Sequence, residues 1–93
     1  MIFVYVTCKD NEEAKKIVKH LLSLRLAACG NIIQSDSVYK WKGKIEDCKE
    51  SILILKTKEE LFEKVKKEIK DIHSYDISCI CRLKTEANQE FVD

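Results

Sequence analysis

The chain opens with an almost unbroken apolar run, Ile2-Phe3-Val4-Tyr5-Val6, before turning polar at Thr7 and Lys9. Successive side chains of a strand point to opposite faces, so residues 2–8 read as a strand that is apolar on both. Asp10 and Glu13 stand three apart, a variant of the capping box that opens a helix. Ala14, Ile17, Val18, Leu21, Leu22 and Leu26 then recur at helical spacing, with Glu12, Lys15, Lys16 and Lys19 on the other face. Cys29 to Gln34 is a second strand, bending toward Tyr39–Trp41, and Gly43 marks a turn. Glu50 to Lys56 is again apolar on both faces through Ile52-Leu53-Ile54-Leu55. Thr57, with Glu60 three residues on, predicts a capping box for a second helix, whose buried stripe is Leu61, Phe62, Val65, Ile69 and Ile72. Ile77 to Leu83 is the last strand, and from Thr85 the tail is polar except for Ala87, Phe91 and Val92.

This order, β-α-β-β-α-β, is the ferredoxin-like arrangement of an α+β domain: an antiparallel sheet with two helices on one face. The other face should alternate to polar residues if it meets water. Residues 2–6 and 52–55 do not alternate, and 93 residues supply no third layer to cover them. A large bare apolar face is a poor state for a soluble monomer, so the pattern predicts self-association through the sheets.

Ser37 to Lys44 carries a second pattern. In a strand Ser37, Tyr39, Trp41 and Gly43 share one face, and Val38, Lys40, Lys42 and Lys44 the other. An aromatic ladder backed by lysines suits either base stacking on nucleic acid or packing on a partner. An RNA-recognition sheet would also need a Gly/aromatic platform at 51–55, where the chain reads Ser-Ile-Leu-Ile-Leu. The net charge of +1 supplies no general attraction for polyanions. The expectation is therefore an interface rather than a nucleic-acid surface.

Composition narrows the picture further. Ninety-three residues, 45% hydrophobic and 35% charged, make one globular domain. No stretch reaches the length of a membrane span, the opening apolar run lacks the flanks of a secretory signal, and a cytoplasmic protein is expected. The five cysteines (8, 29, 48, 79 and 81) show no C-x-x-C spacing, so they read as small apolar core residues in a reducing compartment, with a thiolate metal site as the alternative.

Few residues carry chemistry. His73 ends the second helix, where a capping role competes with a ligating one. Glu50 opens an apolar strand two residues after Cys48; it is either an edge carboxylate paired with a lysine or a metal ligand, alone or with His73. An acylphosphatase-like site would need Gly and Arg after the first strand, where Thr7-Cys8-Lys9-Asp10 stands instead. No nucleophile–base pair stands out.

Taken together, these residues resemble the CutA family of divalent-cation tolerance proteins over essentially the whole chain. The likeness rests on Thr7, Leu26-Ala27-Ala28-Cys29-Gly30-Asn31 (the family's L-A-A-C-x-N), Ser37-x-Tyr39-x-Trp41-x-Gly43-Lys44, Glu50, Leu55-Lys56-Thr57 and His73-x-Tyr75-Asp76. The resemblance implies a ferredoxin-like subunit in a homotrimer, and a role in the response to divalent metals, most often copper. It maps metal ligands onto Glu50 and His73. A cysteine ligand of some members falls at Val6, two residues before Cys8 on the same face. Tyr39, Trp41 and Lys56 match cleft residues between subunits, and Tyr75 is grouped with them. The family's H-P-Y-E-x-P reads here as His73-Ser74-Tyr75-Asp76-Ile77-Ser78, without its prolines, and the aromatic-rich terminal helix is shortened or absent.

The resulting expectation is a trimer, with no catalytic residues assigned and no nucleic acid or membrane partner, that binds Cu(II) or a similar divalent ion weakly through Glu50 and His73, a mixed N/O donor set. The rival is a PII-like signalling or scaffold trimer that takes a small anion or partner protein in clefts near Lys56, Arg82 and the aromatic pair.

Overall fold

The computed structural model describes residues 1–75 and 78–92. Its elements follow as β1 (Ile2–Cys8), α1 (Asn11–Ser23), β2 (Cys29–Trp41), β3 (Lys44–Thr57), a 3-10 turn (Glu59–Leu61), α2 (Phe62–Ile72), β4 (Ile80–Lys84) and a short α3 (Gln89–Val92). The four strands form one sheet in the order β2-β3-β1-β4, antiparallel at every junction. This is the α+β arrangement expected from the pattern.

Burial along β1 alternates without exception. Ile2, Val4, Val6 and Cys8 are buried beneath the helices, and Phe3, Tyr5 and Thr7 are half-buried on the opposite face. On β3 the helix side holds Ser51, Leu53, Leu55 and Thr57, paired across from Cys8, Val6, Val4 and Ile2. Ala14, Ile17 and Leu21 of α1 and Phe62, Val65 and Ile69 of α2 close the core from above. Burying each such aliphatic side chain contributes about 1.5–3 kcal/mol. Gly30 lets α1 come this close: a Cβ there would meet Val18 Cγ2 at 2.7 Å.

The far face keeps the apolar residues that the pattern could not account for. By register, Phe3, Tyr5, Ile33, Ile52, Ile54, Cys81 and Leu83 share it; Ile33 and Leu83 are exposed there, Ile52 is buried, and α3 borders one end, its Phe91 ring 5.3 Å from Lys56 Nζ.

The hairpin is longer than the sequence suggested. β2 runs unbroken for 13 residues, and β3 begins at Lys44 rather than Glu50. Pairing continues from Cys29↔Lys56 to Trp41↔Lys44, whereas β1 borders β3 only over Ser51–Thr57. The outer half therefore projects as a two-stranded arm and stretches the molecule to 46 Å. Lys42 (φ 51°) and Gly43 (φ 79°) form its tip, a two-residue turn of the primed type that matches the twist of the strands. Both lie outside the strand, so Lys44 pairs with Trp41 and shares the aromatic face, contrary to the simple alternation. Ser37, Tyr39 and Trp41 do share a face, and Lys40 lies across from Ile45 on the other.

The helix starts also separate. Asp10 caps α1, its side chain accepting from the Glu13 N–H at 2.8 Å. Thr57 does not cap α2. Its hydroxyl donates to the Leu26 carbonyl at 2.6 Å, tying β3 to the loop after α1, and the helix enters through the 3-10 turn without a side-chain cap. The last strand begins at Ile80; Asp76 and Ile77 lie outside the described residues.

Candidate functional site

β1 stops at Cys8, so β3 has no neighbour on that edge beyond Ser51. Glu50 is the first residue past this point, and Tyr75 reaches it from the end of α2. The Tyr75 hydroxyl donates to Glu50 Oε2 at 2.6 Å, and its backbone N–H donates to His73 Nδ1 at 3.2 Å. Its ring stands edge-on to the imidazole, centroids 4.8 Å apart. Burial, then the Glu50 hydrogen bond and charge, push the Tyr75 phenol up, so it remains a donor. One residue thus links the two expected ligands. Glu50 also borders a polar cleft of about 420 Å³ with Lys9, Asp10, Asn11 and Lys49.

The His73 side chain is fully buried. Its Nε2 lies 2.7 Å from the Thr7 carbonyl, which can only accept, so the proton sits on Nε2 and Nδ1 carries the lone pair. Fixing the tautomer through a backbone carbonyl is how ligating histidines are commonly oriented. Here the lone pair accepts from the Tyr75 N–H, so ligation requires that contact to open.

Behind His73 lies a cluster that the sequence did not reveal. Cys8, Glu13 and His73 bring one ligand-type atom each within 4.8 Å of one another. Glu13 Oε1 accepts from the Lys9 N–H and Oε2 from the Ser74 N–H, both at 3.0 Å, and Oε1 lies 3.8 Å from His73 Nε2. Burial pushes the Glu13 carboxyl up, but the Ser74 and Lys9 hydrogen bonds and the nearby His73 outweigh it and hold it below the ordinary range. Burial, then the charges of Glu13, Asp10 and Glu50, push the Cys8 thiol up to about 12. With Glu13 and His73 already hydrogen-bonded and the thiol protonated, the group acts as a latch between β1, α1 and the end of α2. Glu13 was legible as a capping residue; nothing local announces that it reaches Ser74, 61 positions away.

The remaining predicted residues lie apart. Tyr39 and Trp41 are on the arm, the Tyr39 hydroxyl 3.8 Å from the Cys48 thiol and Lys42 Nζ 5.9 Å from the Trp41 ring. Lys56 is six residues along β3, its Nζ 5.9 Å from the Phe3 ring and 5.3 Å from Phe91. It lines a cavity of about 570 Å³ with Arg25, Lys58, Leu22, Leu61 and Phe91. Arg82 does not join it: its guanidinium pairs with Glu59 at 2.7 Å and lies 4.9 Å from the Phe62 ring centroid. The cysteines divide. Cys8 is core as expected, Cys29 and Cys48 are half-buried, and Cys79 and Cys81 are exposed: Cys81 lies across from Tyr5 on the face of β4 away from the helices, and Cys79 precedes the strand.

Comparison with known proteins covers nearly the whole chain. The family model described as CutA1 divalent ion tolerance protein matches residues 2–93. A divalent-cation tolerance protein CutA from Pyrococcus horikoshii is 45% identical over 93 residues, spanning 99% of this chain and 91% of the relative. The crystal structure of CutA1 from Pyrococcus horikoshii superposes with a TM-score of 0.94 at 44% identity, covering 99% of this chain and 91% of that one. The structure of a PII-like protein CutA from Nostoc sp. PCC 7120 has a TM-score of 0.90 at 22% identity, covering 99% and 90%, a likeness of fold.

Proposed function

This chain belongs to the CutA1 divalent ion tolerance protein family, and we propose that it binds a divalent cation, copper(II) or a similar ion, through Glu50 and His73. The observation that carries this reading is Tyr75, which hydrogen-bonds both residues at once and keeps them at one opening in the sheet. A carboxylate oxygen and an imidazole nitrogen form a donor set that suits Cu(II) or Zn(II). Binding through Nδ1 displaces the Tyr75 N–H, which makes the interaction weak. Calorimetric titration with Cu2+ tests the assignment on the wild type, Glu50→Gln and a Glu50→Ala/His73→Ala double variant. Equal affinity across the three would remove these residues from the site.

The working unit in this proposal is a cytoplasmic homotrimer packed through the uncovered sheet faces, with Tyr39 and Trp41 reaching a neighbour. The apolar far face and the unsupported arm favour assembly, and the count of three rests on the family resemblance. The five free thiols suit a reducing compartment. Sedimentation equilibrium should give about three times the 10.8 kDa chain mass; a stable monomer would sink this part.

A second reading is supported by the cavity beside Lys56. Three cations, Arg25, Lys56 and Lys58, surround an apolar floor there, an arrangement suited to a small organic anion. Thermal-shift screening with small carboxylates in the presence of chelator separates it from the metal proposal.

A further inference from the structure

The cavity of about 570 Å³ at the end of β3 gathers charge that the fold itself does not use. Arg25 and Lys58 line it, both are exposed, and neither has an ion-pair partner among the described residues. Lys56 is engaged by the rings of Phe3 and Phe91, and Arg82 is paired with Glu59. No acidic residue of the described chain lines the cavity, whose remaining wall is mainly apolar. Arg25 also stands there at a conformational cost. Helix α1 ends in a left-handed cap, in which the Leu26 N–H donates to the Leu21 carbonyl at 2.9 Å and the Arg25 N–H to the Leu22 carbonyl at 3.0 Å. The left-handed position is Arg25 itself, with φ 58°, where glycine is the usual occupant because a Cβ crowds the carbonyl that follows. Lys42, also left-handed, is accounted for by its hairpin turn. Glycine would end α1 with less strain, so what arginine adds is its guanidinium at the cavity wall.

We propose that this cavity takes a monocarboxylate with an apolar body, its carboxylate held by Arg25 and Lys58 and its body against Leu22, Leu61 and Phe91. The proposal rests on the anion reading of the cavity and adds the ligand class and the residue that selects it. A guanidinium offers two parallel N–H donors, which match the two oxygens of a carboxylate. The volume is that of a small organic ligand rather than a bare ion, and an apolar wall favours a body that leaves water. A net charge of +1 attracts anions little in general, so recognition has to be local. The carbonyls of Leu21 and Leu22 already accept N–H groups, which softens the negative end of α1 where the carboxylate approaches. Leu22, Arg25 and Leu61 stand on the helix side, whereas Lys56 and Phe91 adjoin the far face of the sheet. Assembly through that face borders the cavity on one side and leaves the wall that carries Arg25 open.

Octanoate is the probe, titrated calorimetrically into the assembled protein with chelator present, so that no metal contributes. The wild type should bind one octanoate per chain. Acetate, which lacks the body, and octylamine, which reverses the charge, should each bind at least roughly tenfold more weakly. Arg25→Gly should weaken octanoate at least roughly tenfold, the loss expected for hydrogen bonds to a charged group. Its folding constant in urea should nevertheless rise roughly two- to fivefold, since glycine removes the left-handed strain and adds back some chain entropy. Arg25→Lys keeps the charge without the fork and should bind between the two. Affinity and stability moving in opposite directions is a result that damage to the fold does not produce. Arg25→Gly less stable than wild type would show that arginine serves the fold there and would overturn the argument from strain. Octanoate bound equally by wild type and Arg25→Gly, but more weakly by Lys58→Ala, would keep the anion reading and remove Arg25 from it. Acetate bound as tightly as octanoate would keep the anion and remove the apolar body. Failure of the wild type to bind either acid would end both readings.

Discussion

The two halves of β3 share a backbone ladder and little else. From Ser51 to Thr57 the strand lies between β1 and β2, and its helix-side residues are almost fully buried. From Lys44 to Glu50 it has one neighbour, and Ile45 is 72% exposed. The inner half holds the monomer together, and its hydrophobic residues are accounted for inside the chain. The outer half carries Ile45 and, across the ladder, Val38 at 65% and Trp41 at 60% exposure, with no layer packed on them among the described residues. A two-stranded ribbon is marginal alone in water, so such an arm persists because something else supports it. Glu50 and Tyr75 lie where the two regimes meet.

The largest effect should come from the inner half. Leu53 is fully buried in the core cluster, across the ladder from Val6, so Leu53→Ala should destabilise by about 2.7–5 kcal/mol in chemical denaturation. A loss under 1 kcal/mol would mean that the core is looser than its burial implies.

Next comes Glu13, whose carboxylate satisfies two backbone N–H groups. Glu13→Gln should remove about 1.5–3 kcal/mol at neutral pH. The native carboxyl sits below its ordinary value of 4.5. Its stabilisation is therefore complete above that value and lost as pH falls through the lower native one. The stability gap between wild type and variant should close in acid; a gap that stays constant with pH would show that the charge contributes nothing.

Gly30→Ala is the third test. The added methyl would meet Val18 Cγ2 at 2.7 Å and Leu53 Cδ1 at 3.1 Å, and Val18 has little rotamer freedom on a helix. A destabilisation of about 1–3 kcal/mol is expected from overpacking. A neutral result would place α1 farther from β2 than described.

How much of this was legible follows the same division. Where residues face a core, period and register show in the sequence, and both helices, β1 and the inner half of β3 were readable from apolar spacing. The arm was legible in part: Ser37 to Lys44 read as an alternating strand with a turn at Gly43, but its continuity with β2 and the start of β3 at Lys44 did not show, because Ser35-Asp36-Ser37 and Glu46-Asp47 look like loop until pairing places them in a ribbon. Glu50 and His73 were readable as chemistry, but not their joint hydrogen bonding to Tyr75, which depends on where β1 ends. The Glu13–Ser74 contact left no trace, since its partners are distant and one of them is a backbone N–H. The exposure of Cys81 depended on which side of a short edge strand faced the helices, and alternation alone does not choose a side; Cys79 precedes that strand.

The smallest change in folding energy should come from the arm, and it divides the comparison most sharply. Val38→Ser/Ile45→Ser replaces two exposed side chains on the face opposite Tyr39 and Trp41. If the arm served only its own chain, the variant should lie within about 0.5 kcal/mol of wild type and nothing else should change. If the arm's apolar residues meet a neighbour, unfolding of the dissociated chain should move equally little, while the assembly becomes concentration-dependent. Sedimentation velocity over a dilution series reads that difference directly. An unchanged mass at every dilution would confine assembly to the sheet faces and leave Val38 and Ile45 without a structural reason. A dissociating variant with an intact fold would locate in the arm a stabilising contact that one chain alone does not contain.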